Sequence, residues 1–129
     1  MLLIINTGSA SKKYALYSEG AEILKAHLET EDGGLVSTIK IGITEKKEII
    51  TQENYNNSIN YIIELLVSNK LIAAIDDIKT IGLRIVAPGM FFLEDKIIND
   101  EYLIKLKEAK NRAPLHIEPE LSEIEHLKQ

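Results

Sequence analysis

Residues 2–17 constrain the fold of this chain more than any other stretch. They read LLIINTGSASKKYALY, which is a short aliphatic run, a small polar turn and a second, partly apolar run. A continuous aliphatic run such as Leu2 to Ile5 is typical of a strand covered on both faces. The whole stretch therefore predicts a strand, a turn and a second strand at the start of a sheet.

The polar turn from Asn6 to Ser11 carries one glycine and several hydroxyl or amide side chains. Its backbone can approach a ligand closely while offering many hydrogen-bond donors. Lys12 and Lys13 are expected to close the turn, and this combination suits a polyanion such as a nucleotide phosphate. Taken alone, the turn is better explained as an ordinary hairpin, because Asn, Gly and Ser are common turn residues.

Composition narrows the class of protein. The chain has 129 residues, 45% of them hydrophobic and 27% charged, which suffices for one domain (residues 1–129) with a real core. A net charge of -5, with lysines interspersed among more numerous acids, disfavours binding to nucleic acid or to an anionic membrane. Any anion site must therefore be local.

Cysteine is absent, which excludes disulfides, thiolate nucleophiles and cysteine metal sites. The N-terminal aliphatic run is too short to span a membrane and lacks the basic flank of a signal peptide. We therefore expect a soluble, cytoplasmic protein.

Alternating apolar and polar residues predict further strands after the first one. We place five strands in a mixed sheet whose first three members are antiparallel: Leu2 to Ile5, Tyr14 to Tyr17, Ile23 to Leu28, Ile39 to Ile43 and Thr80 to Val86. His27 falls at a polar position of its strand and is interpreted as a surface residue.

Helical periodicity begins at Gln52, and an apolar stripe then forms one helix face. The stripe consists of Tyr55, Ile59, Ile62, Ile63 and Leu66. Met90 to Leu93 is expected to be an apolar loop that packs under the domain, because four such residues in water would form an association-prone patch.

Two more helices are predicted toward the C-terminus. Asp100 can cap the first, with Leu103, Leu106 and the stem of Lys107 facing inward and an end near Asn111. The second is expected to begin at Glu118-Pro119, with the proline at its first position. Its inward side would carry Leu121, Ile124 and Leu127.

Arg84 lies inside the apolar run from Thr80 to Val86. A guanidinium there must either find a partner or point into a cleft. On the residues alone, pairing with a nearby acid at the sheet edge is the first interpretation.

Three motifs give the chain a family resemblance. Asn6-Thr7-Gly8-Ser9-Ala10-Ser11-Lys12-Lys13 after an aliphatic strand resembles the opening of acetate kinases. Ile81 to Val86 is similar to the Ile-Gly-His-Arg-Val-Val of that family, and Ala113-Pro114-Leu115-His116 matches it directly. Butyrate kinases open in a similar way, so the first motif alone does not select the acyl group.

The resemblance implies a fold and an activity. The fold would be an α/β, ribonuclease H-like (actin-like ATPase) domain, with a mixed five-stranded sheet and flanking helices. The activity of the family is phosphoryl transfer from ATP to acetate, giving acetyl phosphate and ADP, with Mg²⁺. The substrates would be small molecules, and the parent enzyme would be a homodimer.

The resemblance also implies roles for individual residues. Asn6 matches the asparagine associated with the metal ion. Ser9, Ser11 and Lys13 match residues that contact ATP. Arg84 and His116 match residues on the carboxylate-substrate side, and an arginine fork suits a small carboxylate.

Departures from the family pattern concentrate around Arg84 and His116. Leu83 stands where the family has histidine, Ala87-Pro88-Gly89 replaces His-Gly-Gly, and Ile117-Glu118 replaces Asn-Pro. These changes leave the arginine but remove polar neighbours. Acyl specificity therefore stays open, and a kinase for another short-chain carboxylate is an alternative.

The family's catalytic aspartate and glycine-rich adenosine motifs would lie beyond Gln129. We therefore expect no catalytic residue within these 129 residues, no turnover by the isolated chain, and a monomer or a weak associate. A free-standing, non-catalytic domain that binds an anion or a partner protein is the alternative from a different functional class.

Overall fold

The computed structural model of the chain describes residues 1–128. Its backbone groups into two compact units. The first consists of Met1–Asn6 and Ala10–Arg84, and the second of Thr7–Ser9 and the chain from Ile85 onward. That residues 1–129 fold as one domain stays a prediction.

The strands form one mixed sheet of six members in the order β5-β4-β3-β2-β1-β6. Their bounds are β1 Leu2–Thr7, β2 Ser11–Ser18, β3 Ala21–Glu31, β4 Gly34–Ile41, β5 Thr44–Ile49 and β6 Thr80–Leu83. The pairs β2–β3, β3–β4 and β4–β5 are antiparallel, whereas β1 and β6 run parallel. The predicted mixed sheet is therefore confirmed.

The predicted number of five strands is wrong, because β5 adds a sixth at the sheet edge. Its sequence, TEKKEI, is mostly charged and exposed, so hydrophobic alternation gives little sign of it. Charged side chains are common on edge strands, where they oppose pairing with another chain. The fourth strand ends at Ile41 rather than Ile43, which lies fully exposed in the turn that follows.

Tight turns connect the antiparallel strands. Glu19 and Gly20 both have positive φ, as do Asp32 and Gly33. Two successive residues in this region suit the twist of a two-residue hairpin, and glycine adopts it without steric cost.

One face of the sheet packs on α2 (Ser58–Ser68), which follows the short helix α1 (Gln52–Asn56). The buried side chains of this core include Tyr14, Leu16, Leu24, Ala26, Leu28, Ile59, Ile62 and Leu66. The predicted stripe is thus largely confirmed, with Tyr55 and Ile63 at half-buried positions. The helical stretch is interrupted at Asn57, whose φ of -97° and ψ of 43° are not helical.

Hydroxyl groups join the sheet to α2. The buried Ser58 Oγ accepts hydrogen bonds from the Tyr14 hydroxyl at 2.8 Å and from Lys12 Nζ at 2.7 Å. Lys12 Nζ also lies 5.2 Å from the centre of the Tyr55 ring, within the range of a cation–π interaction. The Lys12 side chain therefore lies on the sheet face that the helices cover, where it contacts Ser58 and Tyr55.

The second unit contains α3 (Asp100–Ala109) and α4 (Pro114–Leu127). Short 3₁₀ segments occur at Met90–Phe92 and Lys110–Arg112. The cap of α3 is Asn99, whose Oδ1 accepts from the Tyr102 amide at 2.9 Å, rather than the predicted Asp100. Tyr102, Leu106 and Ala109 are the buried residues of α3, while Lys107 is exposed.

The predicted start of α4 at Glu118 is wrong. The helix begins at Pro114, and Pro119 lies inside it. Pro114, and not Pro119, takes the first helical position, where the missing N–H and fixed φ of proline are tolerated. Ile117 and Ile124 are buried, as are two acidic residues, Glu120 and Glu123.

The prediction that all four residues from Met90 to Leu93 pack against the domain is confirmed for two of them. Phe91 and Phe92 pack on Tyr102, with ring centres 5.6 Å and 5.5 Å away. Met90 and Leu93, by contrast, are 85% and 77% exposed. No helix within residues 1–128 has both the length and the apolar character needed to span a membrane.

Candidate functional site

The parallel pair β1 and β6 defines one edge of the sheet. Their register aligns Ile4 with Gly82 and Ile5 with Leu83. The residues that follow the last aligned pair are Asn6 and Arg84, and the Arg84 amide donates to the Ile5 carbonyl at 2.9 Å. The carboxyl ends of parallel strands lie at the same end of a sheet. Asn6 and Arg84 therefore both lie at the carboxyl ends of β1 and β6.

Gly82 allows β6 to lie close to the side chains of β1. A Cβ atom at Gly82 would stand 2.9 Å from Ile4 Cδ1, closer than real Cβ contacts. Any side chain here would therefore require the Ile4 Cδ1 methyl group to shift.

Arg84 lies outside the strand, because β6 ends at Leu83 and not at the predicted Val86. Two residues after Arg84, the Val86 amide donates to Glu120 Oε1 at 2.6 Å. The guanidinium is exposed, and no carboxylate among residues 1–128 pairs with it. Pairing with a nearby acid, the simplest interpretation of the sequence, is therefore not observed in the described chain.

Ser11 and Lys13 lie at the start of β2 on one face, since alternate residues of a strand face the same way. The predicted turn closure by Lys12 and Lys13 is wrong, because both belong to β2. Lys12 faces the helices and contacts Ser58, whereas Lys13 is exposed on the opposite face. The strand thus separates the two adjacent lysines.

Ser9 and His116 belong to the second unit and are both exposed. Ser9 lies in the turn between β1 and β2, and His116 in the first turn of α4. The first unit alone thus brings Asn6 and Arg84 to one edge and holds Ser11 and Lys13 at the start of β2.

Glu120 is a residue that the sequence interpretation missed. It is 1% exposed, lies one helical turn after His116, and binds the backbone two residues after Arg84. The available signal was spacing, because Ile117, Glu120 and Ile124 stand at i, i+3 and i+7 on one helix stripe. Burial and then the nearby Glu120 charge raise the pKa of Tyr102.

The described residues offer few side chains that could act as ligands to a metal ion. No group of three or more His, Cys, Asp or Glu side chains in residues 1–128 could hold a metal ion. Mg²⁺ in nucleotide sites keeps waters and phosphate oxygens as most of its ligands. The Asn6 amide oxygen fits the role of a single protein ligand to an ion carried by phosphate.

Comparison with known proteins agrees with these motifs. The model of the Acetokinase family matches residues 1–129. The acetate kinase of Helicobacter hepaticus is 35% identical over 136 residues, covering 99% of this chain and 33% of that protein. The acetate kinase of Streptococcus pyogenes is 32% identical over 117 residues, covering 88% and 29% respectively.

Solved structures of acetate and propionate kinases resemble this chain in fold. A propionate kinase from Francisella tularensis aligns with a TM-score of 0.83 at 25% identity, covering 99% of this chain and 33% of the other. The Porphyromonas gingivalis acetate kinase aligns with a TM-score of 0.86 at 22% identity, covering 98% and 33%. The predicted actin-like ATPase fold class is thereby confirmed.

The chain spans about a third of the length of the relatives that it matches. The match to the family model nevertheless extends over residues 1–129. The chain belongs to the acetokinase family.

Proposed function

We propose that this chain is the N-terminal part of a carboxylate kinase that transfers a phosphoryl group from ATP to acetate. The observation that carries the proposal is the shared edge of β1 and β6, where Asn6 and an exposed Arg84 follow aligned residues of parallel strands. Ligands of open α/β sheets bind outside the carboxyl ends of their strands.

The reaction makes few chemical demands on the protein. A carboxylate oxygen of acetate attacks the γ-phosphorus of ATP, the bond to the ADP oxygen breaks, and acetyl phosphate and ADP result. The carboxylate is already ionised, so no base need remove a proton. Positioning and charge neutralisation therefore dominate catalysis.

In this proposal, Arg84 binds the carboxylate through two parallel hydrogen bonds and offsets charge on the transferring group. Its exposure and lack of a carboxylate partner among residues 1–128 leave the guanidinium available. The proposal also assigns His116 to substrate binding, as the family resemblance implies, and its side chain is exposed in α4.

Lys13 and Ser11 would contact the phosphates from one face of β2, with Ser9 contributing from the preceding turn. Asn6 would offer one oxygen to Mg²⁺, which supplies positive charge against the β- and γ-phosphates when bound. The remaining catalytic groups would come from the rest of a full-length protein in the cytoplasm. We therefore expect no turnover by the isolated chain, which should be monomeric or weakly associated.

A second acyl substrate is favoured by a specific residue. Leu83, half-buried on β6 directly before Arg84, replaces the histidine of the family motif with an apolar side chain. An apolar neighbour suits a longer acyl chain, by about 0.8 kcal/mol for each methylene it buries. Propionate is thus the alternative substrate.

Nuclear magnetic resonance titrations of the 129-residue chain test the proposal. Acetate should shift the Arg84 Nε–H resonance and the backbone amides of Asn6 and Leu83, and Mg²⁺-ATP should shift the Ser11 and Lys13 amides. Arg84→Ala should abolish the acetate response but keep the ATP response. ATP shifts absent from Ser11 and Lys13, or acetate shifts unchanged in Arg84→Ala, would contradict the proposed site. Repeating the titration with propionate ranks the two acids.

A further inference from the structure

Strand β5 ends the sheet and, within residues 1–128, pairs with β4 alone. Directly opposed residues of an antiparallel pair alternate between hydrogen-bonded and non-hydrogen-bonded positions. The Ile50 amide donates to the Leu35 carbonyl at 2.9 Å, so the even-numbered residues of β5 take the hydrogen-bonded positions toward β4. Glu45, Lys47 and Ile49 therefore direct their backbone N–H and C=O groups away from the sheet. Such an unpaired row can accept another strand.

The side chains along this edge are complementary to a second copy of the same strand. An antiparallel copy can exchange backbone hydrogen bonds only where odd-numbered residues oppose odd-numbered residues. A two-fold axis at Lys46 meets this condition and places Glu45 opposite Lys47 of the second copy. The same axis places Ile49 opposite Ile43, and symmetry repeats both pairs. Opposite charges that face each other directly across two strands stabilise a sheet.

The adjacent registers are less favourable. An axis at Glu45 sets two carboxylates opposite each other, and an axis at Lys47 sets two ammonium groups opposite each other. The Lys47 axis also aligns Lys46 with Glu48 of the second copy. That carboxylate, however, already contacts Lys46 of its own strand and accepts from the Tyr61 hydroxyl at 3.0 Å. The charges on β5 thus oppose most pairings with another chain and match one.

The conformation of the single chain suits the register centred on Lys46. The two Lys46 side chains meet at the axis, and each contacts Glu48 of its own strand, which offsets their repulsion. Glu45 forms no ion pair among residues 1–128, so its carboxylate is available to the second copy. Ile43 is fully exposed and Ile49 is 85% exposed. Pairing would therefore bury apolar surface and neutralise an unpaired charge.

We propose that the free edge of β5 is an interaction surface for a second copy of this chain. The two β5 strands pair antiparallel about Lys46, which joins two sheets into one. A single strand from each copy buries little surface, and interfaces below roughly 1,200 Å² are typically weak. The association is therefore reversible and depends on concentration. It goes beyond the proposed carboxylate kinase reaction and does not depend on it.

Sedimentation velocity of the 129-residue chain over a range of concentrations tests the proposal. The wild type should sediment faster as the concentration rises, which marks a monomer–dimer equilibrium. Glu45→Lys and Lys47→Glu should each raise the dissociation constant of the dimer roughly tenfold, because two attractive cross-strand pairs become repulsive. An equimolar mixture of these variants places every introduced charge opposite a charge of the other sign. Its association should therefore return to at least the wild-type strength.

Lys105→Glu and Glu108→Lys are the matched controls. These two side chains contact each other on α3, and both are exposed. Their substitutions change the net charge by the same amounts as the edge variants and should leave the dissociation constant unchanged. A wild type that stays monomeric at every concentration would overturn the proposal. So would equal weakening by the edge and control variants, or a mixture that fails to restore association.

Hydrogen exchange of the backbone amides identifies the contact surface. The Glu45 and Lys47 amides point away from β4 and should exchange more slowly as the concentration rises. The Lys46 and Glu48 amides bond to β4 and should be protected at every concentration. Association that leaves the Glu45 and Lys47 amides unprotected would place the contact elsewhere on the molecule and overturn the proposal.

Discussion

Lys12 and Lys13 show how one position along a strand decides the role of a side chain. Strand geometry turns consecutive residues to opposite faces, so the side chains of Lys12 and Lys13 lie on opposite faces of the sheet. Lys12 binds Ser58 and lies over Tyr55 on the helical side, while Lys13 is exposed on the other. The first lysine therefore stabilises the fold, and the second is available for binding.

Replacing each lysine with methionine should separate stability from binding. We expect Lys12→Met to lower the free energy of unfolding by about 1–2 kcal/mol, because it removes a hydrogen bond and a cation–π contact. Lys13→Met should leave unfolding within about 0.5 kcal/mol of the wild type, as is usual at the surface. Denaturant titrations measure both values, and a larger loss in Lys13→Met would contradict the assignment.

Glu120 is a buried acidic residue whose replacement should affect the backbone at Val86. Its carboxylate is buried and accepts the Val86 amide at 2.6 Å. Glu120→Ala should cost about 1–3 kcal/mol of unfolding free energy, because a buried amide loses its acceptor. Glu120→Gln keeps an acceptor oxygen and should cost less.

Hydrogen exchange of the Val86 amide checks the mechanism behind that loss. The amide should be protected in the wild type and in Glu120→Gln but exchange faster in Glu120→Ala. Equal protection in all three proteins would show that Glu120 does not hold this backbone.

At the scale of elements, β5 and α2 are linked by one carboxylate. Glu48 on β5 accepts from the Tyr61 hydroxyl at 3.0 Å and contacts Lys46 Nζ. The hydrogen bond with Lys46, followed by that with Tyr61, lowers the pKa of Glu48 below its ordinary value of 4.5. The ionised form is therefore favoured in the folded state.

The pH dependence of this link follows from the direction of the shift. A carboxylate whose pKa is lower in the folded chain contributes stability above its unfolded pKa and loses it as pH falls through the folded one. Glu48→Gln should thus melt below the wild type at pH 7, and the difference should shrink below pH 4.5. A difference that persists unchanged at low pH would indicate that the shape of the side chain, and not its charge, matters.

Elements with strong periodicity were predictable from the sequence, and elements with weak periodicity were not. The aliphatic and alternating runs identified β1 to β4 and β6, and the stripe through Ile59 and Leu66 identified α2. The charged strand β5 has no alternation to detect. The start of α4 was predicted wrongly at Glu118, because Pro119 suits a first helical position that Pro114 in fact occupies.

The candidate site was predictable in part for a related reason. Motif order identified Asn6 and Arg84, and the parallel register of β1 and β6 brings them to one edge. Strand pairing is a property of the folded chain, so the register that aligns them could not be foreseen.

At the scale of the whole molecule, the chain spans about a third of the length of its relatives. We expect the purified 129-residue chain to form no acetyl phosphate from ATP and acetate, because groups on both sides of a two-domain cleft are needed. A hydroxamate assay measures the product. Turnover above background would show that these residues contain a complete active site.

The most direct measurement of the central claim is the acetate dependence of a full-length kinase carrying this chain, compared between the wild type, Arg84→Ala and Arg84→Lys. We expect Arg84→Ala to raise the KM for acetate and lower kcat, together costing about 3 kcal/mol, or roughly a hundredfold, in kcat/KM. Arg84→Lys should recover little, because an ammonium cannot make the two-pronged contact. Since Arg84 is exposed, melting temperatures should stay unchanged. Unchanged acetate kinetics with a lower melting temperature would contradict the account.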